Sequence, residues 1–252
     1  MKTRSLYQHF ALLMMFILGA TGMAKAYDFV ETWGVPIYYN VVNGEAVVTN
    51  NGRPSCYSGD LYLTDRVTHD GVTYPVTAIG DEAFINCRNL NSVSLVPSIR
   101  SIGNKAFSNC SRMTFVDYFP DSLTTIGDYA FSGCTSLVAI GPSIVRLGKG
   151  VRSIGKGAFM NCSSIKTFIM EDRLTTIGDS AFMNCTQLNN VTMGYATTSI
   201  GTGAFAQCSN IRSFTSKADN PPVVGDETCF AAFQDLATLK VGYFAAPKYQ
   251  SA

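Results

Sequence analysis

A step of Ile-Gly, then Ala-Phe, then Cys recurs six times along 252 residues, and no other feature constrains the fold as tightly. The Ile-Gly pairs are Ile79-Gly80, Ile102-Gly103, Ile126-Gly127, Ile154-Gly155, Ile177-Gly178 and Ile200-Gly201. Each isoleucine reaches its cysteine (Cys87, Cys110, Cys134, Cys162, Cys185, Cys208) after the same eight residues. The interval from cysteine to the next isoleucine varies, at 15, 16, 20, 15 and 15 residues, so length changes collect on one side of the unit. Beyond each cysteine runs C-x-x-[LIM]-x-x-[VIF]. Its first apolar column is Leu90, Met113, Leu137, Ile165, Leu188 and Ile211, and its second is Val93, Val116, Ile140, Phe168, Val191 and Phe214. A unit of about 23 residues cannot bury these positions alone and must stack on copies of itself. The expected fold is therefore a repeat solenoid whose interior holds the Ile, Phe, Cys, Leu and Val positions as ladders about 4.8 Å per rung.

A seventh, degenerate copy brings the count to about seven. Val224-Gly225 stands for Ile-Gly, Cys229-Phe230 for Ala-Phe and Phe233 for Cys, followed by Leu236, Leu239 and Val241. Asp or Asn follows most Ile-Gly pairs (Asp81, Asn104, Asp128, Asp179, Asp226), and this placement predicts caps for short helical turns that carry Ala-Phe. Lys156 and Thr202 interrupt that column, which argues against a calcium ladder.

Repeats such as Leu123-Thr124-Thr125-Ile126-Gly127-Asp128-Tyr129-Ala130-Phe131-Ser132-Gly133-Cys134-Thr135-Ser136-Leu137 resemble the BspA-like leucine-rich repeats, the Treponema pallidum type. The resemblance covers residues 79–241. It implies a right-handed leucine-rich repeat solenoid with a sheet on its concave face. It also implies a secreted or cell-surface protein of Bacteroidetes or other host-associated microbes, engaged in adhesion to host matrix proteins or to other microbes.

Residues 27–78 lack the motif. Ile37 to Val42, the pair Asn43-Gly44, and Glu45 to Thr49 read as a hairpin, and Asp60 to Thr68 with Val72 to Thr77 as a second strand pair. A small N-terminal β cap is the simplest reading, since an open solenoid end exposes core and strand edges. Tyr38, Tyr39, Tyr57 and Tyr62 are its sharper alternative, an aromatic platform for a ligand. The lone Trp33 precedes the first strand, and residues 242–252 read as a short C-terminal cap or tail.

Residues 1–26 read as a cleaved signal peptide. Lys2 and Arg4 precede an apolar run from Ala11 to Met23, too short to span a bilayer, and Ala24-Lys25-Ala26 is an A-x-A cleavage site. Its removal turns the net charge from +1 to −2, because it takes three basic residues and no acid. No later stretch is apolar enough to cross a membrane. A near-neutral chain without a basic run is a poor match for nucleic acid.

The remaining chemistry points to structure. Six of the eight cysteines share one interior column, where in-register rungs do not converge as a disulfide requires. Buried free thiols are expected there. Four-ligand zinc sites need short spacings that this column lacks. Cys56 and Cys229 lie off it, near opposite ends. Outside the signal, His69 is the only histidine, and it falls in a hairpin turn beside Asp70-Gly71. The glycine pairs around Lys149, Lys156 and Thr202 lack the Lys-Ser/Thr of a phosphate loop. No catalytic residues, cofactor or metal are expected.

What remains is surface. Alternation about the second apolar column turns Ser92, Phe115, Ala139, Thr167, Asn190 and Ser213 outward on one side. Ser94, Asp117, Gly141, Ile169, Thr192 and Thr215 face outward on the other. This small, polar, nearly uncharged face suits many modest contacts with a protein or glycan. Arg146, Lys149, Arg152 and Lys156 cluster in and just beyond the long fourth linker, from Ala139 to Ser153, as a basic bulge for an acidic partner. The leading expectation is an exported adhesive binding protein, monomeric or weakly self-associating. The alternative is a structural envelope component that self-associates through its solenoid ends.

Overall fold

The computed structural model describes residues 27–31, 35–50, 52, 57–116, 118–138, 144–230 and 238–241. The signal segment, Trp33, Cys56, Asp117, Ala139, Ile140, Gly141, Phe233, Leu236 and the tail from 242 lie outside them. Each turn contributes one short strand to each of two sheets. Among the described residues sheet I has eleven strands, and it carries the isoleucine column. It runs from the hairpin strands Phe29–Glu31, Ile37–Val42 and Glu45–Thr49 through Val72–Ile79, and on through Ser101–Ile102, Thr125–Ile126, Ser153–Ile154, Thr176–Ile177 and Ser199–Ile200 to Val223–Val224. From Glu45–Thr49 onward these neighbours are parallel, with Ile79, Ile102, Ile126, Ile154, Ile177 and Ile200 in register and each about 1% exposed or less.

Sheet II carries the second apolar column in two segments. Ser58–Tyr62, Asn89–Ser94 and Phe115–Val116 form the first. Ile144–Arg146, Thr167–Ile169, Asn190–Met193, Ser213–Ser216 and Thr238–Val241 form the second. Between the sheets, Phe84, Phe107, Phe131, Phe159, Phe182 and Phe205 stack face to face with ring centroids 5.0 to 5.4 Å apart, and Phe230 continues the stack at 6.0 Å. This continuous aromatic rod is the centre of the core.

The arc that carries Ala-Phe is not helical, contrary to the sequence expectation. Its amides alternate. Ala83, Ile85 and Cys87 donate three residues back within their own turn, while Glu82, Phe84 and Asn86 donate to the carbonyls of Asn104, Ala106 and Ser108 in the next. A helix would use every amide internally. Here half of them tie turn to turn, and left-handed residues such as Glu82 (φ 56°) and Asn86 (φ 59°) swing alternate amides outward. The aspartates accordingly do not cap their own turns. Asp81 accepts from the amide of Asn104 at 2.6 Å, Asp128 from Lys156 at 2.7 Å and Asp179 from Thr202 at 2.9 Å, each one turn on. Asp226 differs: it accepts from Gly203 of the preceding turn and caps locally, accepting from Thr228 at the start of the 3-10 helix Glu227–Phe230.

The close approach of turns explains the glycine after each isoleucine. A Cβ on Gly127 would stand 2.7 Å from the carbonyl carbon of Gly103 and 2.8 Å from the amide of Asn104. Such distances exclude any side chain.

The N-terminal region does more than cover an end. Asn43-Gly44 (φ 52° and 77°) makes the expected tight hairpin turn. The Asp60–Thr68 segment, however, does not form one strand. Ser58–Tyr62 joins sheet II parallel to Asn89–Ser94, whereas Arg66–His69 turns back against Val72–Ile79 in sheet I. Val48 aligns with Ile79, Leu61 with Val93, and Tyr57 packs edge-on against Phe84 at 4.9 Å. Strands Glu45–Thr49 and Ser58–Tyr62 thus add a further rung to each sheet without the sequence motif. Glu45 bolts it on, accepting from the Thr77 hydroxyl at 2.8 Å and pairing with Arg100 at 2.7 Å. The Thr77 bond, and then Arg100, hold its carboxyl below the usual range. No shared tyrosine platform forms: Tyr39 and Tyr57 are buried and only Tyr62 is open. Burial, reinforced by Glu31, raises the Tyr39 hydroxyl well above its ordinary range.

Candidate functional site

The cysteine column lies where its spacing places it, buried and reduced, among the described residues. Each thiol from Cys110 onward donates to a phenylalanine carbonyl of the preceding turn. Cys110 bonds Phe84, Cys134 bonds Phe107, Cys162 bonds Phe131, Cys185 bonds Phe159 and Cys208 bonds Phe182, at 3.0 to 3.2 Å. Burial pushes Cys110, Cys134, Cys162 and Cys185 well above the ordinary thiol range, and Cys229 up to about 11. A thiolate nucleophile or metal ligand is disfavoured by that shift. Cys229 occupies the alanine position, its carbonyl accepting from Phe205 as Ala204 accepts from Phe182. Among the described residues no group of three or more His, Cys, Asp or Glu is placed to hold a metal. His69 is less solvated than its turn position predicts, because it stacks on Phe29 with ring centroids 4.6 Å apart.

The exposed chemistry is on sheet II. Inward residues Val93, Val116, Val145, Phe168, Val191 and Phe214 are buried, so their neighbours face out. The fourth linker takes a different register from the one counted from Cys134. Val145, not Ile140, pairs with Phe168, and Arg146 pairs with Ile169. From Val145 to Ile154 is nine residues, as from Phe168 to Ile177, so the five extra residues precede Val145. The signal lay in a third apolar column two residues beyond the second: Leu95, Leu147, Met170 and Met193, all buried. Only the Val145 register puts Leu147 on it.

One outward file along sheet II is then Asp60, Ser92, Phe115, Ile144, Thr167, Asn190 and Ser213. The other is Tyr62, Ser94, Arg146, Ile169, Thr192, Thr215 and Lys240. Tyr62 (70% exposed), Phe115 (39%), Arg146 and Asn190 stand open. Ser92 does not. It is 4% exposed and its hydroxyl donates to Asp60 at 2.6 Å, so it supports the face without presenting a contact. The basic residues are spread around one turn. Arg146 lies on sheet II and pairs with Glu171 at 2.7 Å. Lys149 lies on the connecting turn, its amide bonded to Asp121. Arg152 leads into the sheet I strand Ser153–Ile154. They form no single bulge, because the extra residues lie before the strand and not among them.

Comparison with known proteins agrees with this architecture. Residues 62–144 and 118–237 match the model of the BspA type leucine rich repeat region, in six copies. The crystal structure of a Treponema pallidum leucine-rich repeat protein superposes with a TM-score of 0.60 at 26% identity, covering 71% of this chain and 78% of that one. A leucine-rich cell surface protein from Faecalibacterium prausnitzii superposes with a TM-score of 0.55 at 25% identity, over 80% of this chain. This chain spans 57% of that protein's length. No curated protein matches the sequence. No helix among the described residues is long and apolar enough to cross a membrane.

Proposed function

Since the chain belongs to the BspA-type leucine-rich repeat family, whose relatives are in general protein-binding scaffolds and not enzymes, we propose that it is an exported adhesive scaffold. It is displayed at or released from the cell surface, and it holds macromolecular partners along the outward face of sheet II. One observation carries this reading. Inward positions repeat turn after turn, while the outward residues of the same strands (Tyr62, Phe115, Arg146, Ile169, Asn190, Thr192) follow no repeat. Stacking constrains the first set, and it leaves the second free to serve contact with something outside the chain. The outward face is nearly uncharged, which suits an extended contact built from many weak interactions. The signal segment and the cell-surface relative support export.

The test is binding of the secreted chain to immobilised matrix proteins, mucins and bacterial cells. Substituting Phe115, Arg146 and Thr192 together by alanine, glutamine and alanine is expected to reduce binding at least tenfold. Replacing Thr125 and Thr176 on sheet I by alanine is expected to leave it unchanged. Equal loss from both sets would refute a face-specific site.

A second reading has its own observation. Val223 (75% exposed) and Val224 lie on the last described strand of sheet I, which among the described residues has a neighbour on one side only. Self-association through that edge predicts concentration-dependent growth in sedimentation. A lysine at Val223 would suppress it.

A further inference from the structure

On the second segment of sheet II, three successive turns border an open polar hollow of about 620 Å³, within the range of about 300–1,000 Å³ usual for small-ligand clefts. Lys166 and Thr167 line it from one turn, Gln187, Asn189 and Asn190 from the next, and Asn210 from the third. Several side-chain amides of the solenoid are tied to a neighbouring turn. Asn109 donates to Asn86 at 2.9 Å and Asn184 to Asn161 at 2.8 Å, and Asn210 itself donates to the Thr186 carbonyl. The side chains of Gln187, Asn189 and Asn190 make no hydrogen bond to the described chain, though they share one hollow. Lys166 has no carboxylate partner among the described residues. Neither has Arg212, whose amide bonds the Asn189 carbonyl and which is exposed one rung beyond.

We propose that this hollow is a subsite for an acidic oligosaccharide, its uronate carboxylate held between Lys166 and Arg212 and its hydroxyls bonded by Gln187, Asn189 and Asn190. The inference rests on reading sheet II as a binding face and names the ligand of one part of it. Each side-chain amide offers two donors and an acceptor, the complement of adjacent sugar hydroxyls. Lys166 in the lining, Arg212 next to the lining on its third rung, and no acidic residue in the lining select a negative ligand. The hollow holds no aromatic ring and no apolar pocket. It therefore lacks the stacking surface that a nucleic-acid base would use and the recess that a peptide side chain would fill. Three rungs about 4.8 Å apart extend roughly 10 Å, the length of two linked pyranose rings.

The experiment titrates the secreted protein with a hyaluronan tetrasaccharide and with tetragalacturonate. Neutral chitotetraose serves as control, and amide shifts and heat are read out. At least one acidic probe is expected to bind, with shifts confined to the rungs around Lys166, Asn190 and Arg212. Chitotetraose is expected to bind at least about tenfold more weakly, and the loss of one charged hydrogen bond in K166Q or R212Q to weaken the acidic probe about tenfold. N189D/N190D, nearly isosteric but acidic, is expected to abolish binding while the circular dichroism is retained. If that double variant fails to fold, K166Q and R212Q decide, since both side chains are exposed. Absence of binding by both acidic probes, equal binding of chitotetraose, or affinity unchanged in K166Q and R212Q would each overturn the proposal. Protein partners still held through Phe115, Arg146 and Thr192 would then show that only the subsite fails. Loss of both would remove the binding face itself.

Discussion

Sheet I and sheet II are built from the same turns, yet among the described residues sheet I runs unbroken while sheet II falls in two segments. Around sheet I each rung is fixed several times over. The glycine after the isoleucine lies against the previous backbone, an aspartate or asparagine accepts from the next turn, and the phenylalanine and cysteine behind it continue their own ladders. Strands of sheet II are joined mainly through backbone pairing, and few of their outward side chains bond one another, Ser92 with Asp60 being one that does. Five extra residues before Val145 are tolerated on that side because Val145 regains the register, and lengthening a connection costs little chain entropy. The comparison separates the part of the turn that specifies the fold from the part left free for recognition.

The largest effect that would test this separation is at the aromatic rod. Phe159 is fully buried between Phe131 and Phe182, and replacing it by alanine is expected to cost about 3–5 kcal/mol in urea denaturation. Because each turn contacts only its neighbours, amide exchange should rise first in the adjoining turns. A loss below 1 kcal/mol would mean that the rod is not the centre of stability. Next comes the close approach in sheet I. Gly127→Ala forces a methyl against backbone that cannot rotate away, and a destabilisation of roughly 1–3 kcal/mol is expected. Wild-type stability in this variant would show that the turns can slide apart.

A smaller effect concerns the thiols. Unfolded cysteines release their protons from about pH 8.5, whereas the buried ones keep theirs, so stability is intact below that pH and falls as pH rises above it. By pH 9 each deeply buried thiol accounts for about 0.8 kcal/mol of the loss. Cys162→Ala should shrink the decline between pH 7 and 9 by that amount, as measured by denaturation at the two pH values. An unchanged decline would mean that the column is not protected from solvent.

The rod, the cysteine ladder and the isoleucine strands were legible in the sequence because stacking demands the same residue type on each rung, and identical demands produce a visible period. Legibility failed where the demand was geometric and chemically permissive. Val48, Tyr57 and Leu61 complete a turn without Ala-Phe or Cys, because the far side of that turn meets a hairpin and not another rung. Counting from Cys134 puts Ile140 on the second column, and only the distance to Leu147 reveals Val145. The aspartates read as caps from local spacing alone, since a cap and a bond to the next turn use the same side chain. On the candidate site the outward alternation was readable for Thr167, Ile169, Asn190, Thr192, Ser213 and Thr215. The burial of Ser92 was not, because it depends on Asp60, 32 residues away.

The smallest expected effect on stability is the most informative about function. Asn190 and Thr192 flank the buried Val191 on one strand of sheet II, and neither side chain has a hydrogen-bond partner within the described chain. Replacing both by alanine removes no buried contact, so stability should stay within about 0.5 kcal/mol of wild type. Val191→Ala, on the same strand and of similar size, should cost about 1–3 kcal/mol. If Asn190 and Thr192 serve recognition, their double variant pairs near-wild-type denaturation with weakened partner binding, while Val191→Ala shows the reverse at temperatures where it remains folded. Measured side by side, the two variants decide whether adjacent residues on one strand answer to different constraints. Coupled losses of stability and binding in both would mean that sheet II is a second structural wall and not a free surface.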